Sequence, residues 1–229
     1  MKKFILIIAV FCFGTLAYAD TFEAITNKEL VKIQKNIDEV GFNILNSNGI
    51  EQRTVFNLNI KRIKNAHLSY RDREITIYRD LYNRLSSDDE LSYILAHEIS
   101  HSVDSYNGIM RGFFTPLTYR LSPKKYEYKA DKRAVDYMVQ AGYNPVASIV
   151  VMNKCFGQYR YDWYSSHPVS SRRMMEVYEY IYKKYPEYLV NNAYKTNPYY
   201  QNFLLTSKQN RAKFQKKVQS NSKSGVKYL

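Results

Sequence analysis

The chain is poor in cysteine. Its 229 residues hold two, Cys12 and Cys155, and the first lies in a stretch that reads as a removable leader. A single remaining thiol excludes an internal disulfide in the mature monomer, so packing or a bound metal must supply the stability that covalent staples give many exported chains. No histidine lies near Cys155 in the sequence. Its apolar, helical surroundings mark a small core residue and not a catalytic thiol. Acidic residues stop at Glu187, after which Lys195, Lys208, Arg211, Lys213, Lys216, Lys217, Lys223 and Lys227 carry the only charges. Beyond the leader no long apolar run occurs, which excludes a multi-span membrane architecture. Nor is there an internal repeat of solenoid period.

The leader has three parts. Lys2 and Lys3 precede an apolar run from Phe4 to Phe13, and Ala17-Tyr18-Ala19 gives a small-x-small end. This is the layout of a secretory signal peptide over residues 1–19, cut after Ala19, and it sends the protein to a periplasmic or secreted location. The run is short for a bilayer anchor. Bulky Phe11 beside Cys12 argues against a lipoprotein.

The formal net charge is +13, and removal of Lys2 and Lys3 leaves +11. The basicity belongs to the C-terminal end, which holds eight of these cations and turns rich in Asn, Gln, Ser and Lys. Residues 206–229 therefore read as a basic, poorly ordered tail, able to touch an anionic membrane or cell-wall polymer. Residues 20–205 read as one domain. An exported chain makes nucleic acid an unexpected partner.

Within that domain helices dominate. Thr26 and Glu29 have capping-box spacing ahead of Leu30, Ile33, Ile37, Val40 and Ile44, which predicts a helix over 27–46. Short β-branched or alternating stretches at 54–60, 66–70 and 74–78 predict strands, with a turn at Arg71-Asp72-Arg73. Ser87 and Glu90 form a second capping box for a helix over 88–105. Ser122-Pro123 opens a helix to Ala141 and Asn144-Pro145 opens another through Cys155. A last strong helix spans 169–184, ended by Pro186. The fold class is α+β, mainly helical with a small antiparallel or mixed sheet.

His97 and His101 stand four residues apart on the second predicted helix. That spacing sends both imidazoles from one face, where they can bind one ion. Glu98 sits beside the first of them, placed to take a proton from water activated by the metal. Only four histidines occur in the chain, so two of them at this spacing carry weight. Zinc is the expected ion, one per chain, and it needs a third protein ligand. Glu127, Ala130, Asp131 and Ala134 lie on one face of the helix that opens at Pro123. Small Ala130 and Ala134 allow close helix packing, Glu127 can complete a His-His-Glu set, and Asp131 can accept from the outer nitrogen of His97.

These residues resemble the HtpX-like and CAAX-prenyl-protease group of zinc metallopeptidases. Asn65-Ala66 is similar to that group's cleft-bordering strand, and Ser87 through His101 to its lead into the zinc helix. Glu127-Tyr128-Lys129-Ala130-Asp131, Ala141-Gly142-Tyr143-Asn144-Pro145, and His167-Pro168 with Arg173 follow in the group's order. The resemblance implies a zincin-type domain with its sheet bordering the cleft. It implies that His97, His101 and Glu127 bind zinc, that Glu98 is the general base, and that His167 and Arg173 donate to the oxyanion. It makes Asn65 and Ala66 the strand that pairs with an extended protein or peptide substrate, and it leaves His67 as a surface residue. The chain lacks the group's membrane spans and helical-repeat extensions, which points to a minimal soluble form acting on unfolded or misassembled envelope proteins. The alternative is a catalytically silent, zinc-containing holder of such proteins.

Overall fold

A computed structural model of the chain describes residues 26–69, 72–106, 123–156, 171–221 and 225–228. The signal-peptide reading, the Ser122 cap and His167 fall outside the described residues.

Helix α1 spans Asn27–Ser47. It starts at the expected capping box, with the Glu29 N–H donating to Thr26 Oγ1 and the Thr26 N–H to Glu29 Oε2. It stops at Asn48, and Gly49 follows with a positive φ of 57°. Strands β1 (Val55–Asn59), β2 (Ala66–Ser69) and β3 (Glu74–Tyr78) form one mixed sheet in the order β1-β3-β2. β3 runs parallel to β1 and antiparallel to β2. α1 lies against β1, and Gly41 is what permits it: a Cβ there would come within 2.6 Å of the Phe56 ring. Gln34 of α1 also closes the outer edge of β1. Its side chain donates to Phe56 O and accepts from the Leu58 N–H, both at 2.8 Å, as a neighbouring strand would. Among the described residues, β2 is the other edge strand.

After the single turn α2 (Arg79–Tyr82) comes α3 (Asp88–Tyr106). Ser87 Oγ accepts from the Glu90 N–H as expected, but Glu90 does not close the capping box. Its carboxylate accepts from the Ser86 N–H, one residue earlier, and meets Lys154 Nζ at 2.7 Å. Burial explains the exchange: Glu90 is enclosed, and a buried carboxylate needs a cation more than a second backbone donor.

α3 is buried without interruption from Glu90 to Ser102. It is ringed by α1, the sheet, α4 (Pro123–Gln140) and α5 (Ala147–Cys155). α6 (Ser171–Lys184) packs on α4 and α5. Cys155 is buried on α5, and burial pushes its thiol up to about 11, consistent with a packing role.

The C-terminal end departs from expectation. After α7 (Glu187–Val190) come α8 (Pro198–Thr206) and then α9 (Lys208–Gln219), the last of them where a disordered tail over 206–229 was expected. Phe214 of α9 is buried beside Tyr178 and Tyr182 of α6. Tyr228 is 2% exposed; its hydroxyl donates to Glu179 Oε2 and its carbonyl accepts from Arg172 Nε and Nη2. Lys217 Nζ also reaches Glu179. Apolar burial of two aromatics, with a carboxylate to neutralise one lysine, outweighs a composition that reads as disordered.

Candidate metal centre

Two helices build the site. α3 presents His97 and His101 one turn apart, and α4 presents Glu127 from its second turn, with Ala130 and Ala134 buried at the crossing. Asp104 fixes the crossing: Arg133 Nη1 meets it at 2.7 Å and Lys129 Nζ at 3.0 Å.

The three candidate ligand groups form a compact triangle, each imidazole facing a different oxygen of the Glu127 carboxylate. His97 Nε2 and His101 Nε2 are 3.1 Å apart, His97 Nε2 and Glu127 Oε2 3.4 Å, and His101 Nε2 and Glu127 Oε1 3.3 Å. Bonds of roughly 2.0–2.1 Å in a tetrahedron separate neighbouring donors by about 3.3–3.4 Å, so these spacings are of the size a tetrahedral zinc ion needs. All three residues are buried. Two imidazoles and one carboxylate are the donor types zinc takes in open catalytic sites.

Behind the ligands lies a charged network. His97 Nδ1 is 3.0 Å from Asp131 Oδ1, the contact expected from the sequence. The same oxygen accepts from the Tyr93 hydroxyl at 2.9 Å. Arg173 closes the network, with Nε 2.7 Å from Asp131 Oδ2, Nη2 2.6 Å from Asp131 Oδ1, and Nη1 2.9 Å from Glu127 Oε2. Burial opposes every charge here, yet the pairings win. Asp131 is held down to about 2, chiefly by the Arg173 guanidinium against that desolvation. Desolvation would lower His97, but the Asp131 and Glu127 carboxylates raise it to about 10. The Arg173 guanidinium thus faces both carboxylates of the network.

Arg173, expected to donate to the oxyanion, is placed on Asp131 and Glu127, where its guanidinium braces a ligand and the partner of another. Tyr93 was missed altogether. The signal was its place four residues before His97, on the ligand face of the same helix.

Beside the triangle is a narrow cavity of about 40 Å³, lined by His97 and Glu98, by Asn65 and Ala66, and by Tyr93, Ile94, Met152, Phe156 and Arg173. The sheet reaches it through β2. Asn65 O accepts from the Tyr78 N–H, and antiparallel alternation then turns the N–H and C=O of Ala66 and Leu68 away from β3. His67 is exposed, as expected.

Residues 32–113 and 105–181 match the model of peptidase family M48. Together these segments cover well over half of the chain. The chain belongs to peptidase family M48. Its members are zinc-dependent metallopeptidases, and the buried His97-His101-Glu127 cluster is compatible with that chemistry. The mainly helical α+β fold with a three-stranded mixed sheet agrees with a zincin-like domain. No curated protein matches the chain. Among the described residues no helix is long and apolar enough to cross a membrane.

Proposed function

We propose that this M48 protein is a zinc endopeptidase that cleaves extended segments of unfolded or misassembled envelope proteins. The observation that carries the reading is the cluster of His97, His101 and Glu127 opening on a cavity that Glu98 shares with the edge strand β2. His97, His101 and Glu127 would hold the ion. Bound there, zinc supplies a Lewis acid that polarises the scissile carbonyl and acidifies water. Glu98 accepts the proton released by the attacking water and returns it to the leaving amine. Asp131 keeps the His97 ring turned so that Nε2 faces the ion, and Arg173 holds the Asp131 and Glu127 carboxylates in place.

The backbone of Ala66 and Leu68 supports β-augmentation by an extended substrate, which selects chain conformation more than sequence. Apolar Ile94, Met152 and Phe156 would take one side chain beside the cut bond. His167 completes the proposal as a donor to the oxyanion. Export follows the leader, with cleavage after Ala19.

The test is zinc content with cleavage of casein by the wild type and by Glu98→Gln. About one zinc per chain in both proteins, with cleavage lost only in the variant, is the expected result. Cleavage retained by Glu98→Gln would sink the mechanism. Zinc binding with no cleavage by the wild type would favour the silent holder.

A further inference from the structure

Between Glu51 and Asp72 the sequence has no acidic residue, but it has Arg53, Lys61, Arg62, Lys64 and Arg71. The middle of this stretch, Ile60–Lys64, connects β1 to β2 and is exposed at every position. Ile60 is 61% and Ile63 43% exposed, two large aliphatic side chains left in water three residues apart. A tight turn fixes the segment, with the Ile63 N–H donating to Lys61 O at 2.9 Å. The next two residues, Asn65 and Ala66, line the cavity beside His97 and Glu98. The alternating aliphatic and basic loop therefore forms one lip of the metal site.

Three occupants can be weighed by chemistry. An acidic peptide would use the cations and leave both isoleucines wet. An apolar segment would use the isoleucines but bring no anionic group to the basic side chains beside them. An anionic lipid surface uses both, because aliphatic side chains enter the acyl boundary while lysine and arginine meet phosphate. Two cations of the basic C-terminal end are already engaged. Lys217 is drawn to Glu179, and the Arg211 guanidinium is bonded to Leu204 O and Ser207 Oγ.

We propose that the Ile60–Lys64 loop seats the protein on an anionic lipid surface with the metal site at the point of contact. Docking stands on the loop alone. Its consequence, that substrates are met at the membrane as they emerge or detach, rests on the peptidase reading above.

The experiment places an environment-sensitive fluorophore at Ile63→Cys in a full chain carrying Cys12→Ser, and at Lys35→Cys as a reference on α1. Each is mixed with phosphatidylcholine vesicles and with vesicles that also contain phosphatidylglycerol. The expected result is a blue shift at position 63 with the anionic vesicles only, and none at position 35. Charge reversal of Lys61, Arg62 and Lys64 to Glu should abolish the shift. Neutralising the three to Gln should weaken binding on the order of a hundredfold. No shift at 63, an equal shift at 35, or a shift that survives charge reversal would overturn the proposal. Casein cleavage on the same samples separates the two ideas. A normal shift without cleavage leaves docking intact and counts against the peptidase.

Discussion

Replacing Arg173 by Met removes one cation from the buried network and separates two roles for that residue. The guanidinium makes three contacts of 2.6–2.9 Å with Asp131 and Glu127, both almost fully enclosed. Taking away one side of such a pair leaves a buried charge unmatched and costs about 3–5 kcal/mol. For a chain of this size each kcal/mol moves Tm by about 2–4 °C, so the metal-free variant should melt about 6–20 °C lower. Zinc brings two positive charges to Glu127, so excess zinc should raise Tm more in the variant than in the wild type. The assay is far-UV circular dichroism melting with chelator and with zinc. A metal-free variant melting within about 2 °C of wild type would refute the reasoning, as would an equal zinc-induced rise in both. Lost cleavage with an unchanged Tm would instead return Arg173 to the oxyanion role expected from the sequence.

Two further predictions follow from the same cluster and from the docked C-terminal end. Tyr93→Phe keeps the ring and deletes the hydroxyl that donates to Asp131, so zinc affinity should fall about tenfold, the lower end for an outer partner of a ligand. Competition with a chromogenic chelator measures it, and an unchanged affinity counts against the network. Glu179 is held below the ordinary carboxylate range: burial would raise it, but Lys183, Tyr228 and Lys217 outweigh burial. A depressed folded value contributes stability above the unfolded pKa of about 4.3, lost as pH falls through the folded value. Hydrogen exchange in α9 should therefore accelerate in acid below about pH 4. Glu179→Gln should remove that acid step, and an unaltered step would show that another group sets it.

Local chemistry was legible in the sequence because its signals are local. The Thr26–Glu29 box, the strand runs and the one-turn spacing of His97 and His101 each depend on residues within a few positions of one another. Glu127 and Asp131 were legible for a related reason, since helical spacing put them on one face with two alanines. Sheet order was not. Alternation marks a strand but carries no record of its neighbour, and the parallel pairing of β1 with β3 depends on α1 and Gln34 closing the far edge. Docking of the C-terminal end was illegible because its partner, Glu179, lies 49 residues before Tyr228. The brace by Arg173 had the same difficulty. A motif located the side chain, but only packing of α6 on α4 decides whether it points at substrate or at Asp131.

The strongest sequence signal of function was in fact a conflict. α3 is enclosed from Glu90 to Ser102, yet it carries Glu90, Ser92, His97, Glu98, Ser100, His101 and Ser102. A helix buried on all sides ordinarily reads as apolar on all sides. Tolerating this many polar groups requires a use for them, and the structure supplies several. Glu90 holds Lys154, Ser92 bonds back to the Asp89 carbonyl, the two histidines converge with Glu127, and Glu98 faces the cavity. Departures from pattern concentrate where function has displaced packing as the constraint. The mixture that blurs the amphipathic pattern of α3 is therefore the same property that marks it as the helix of the metal centre.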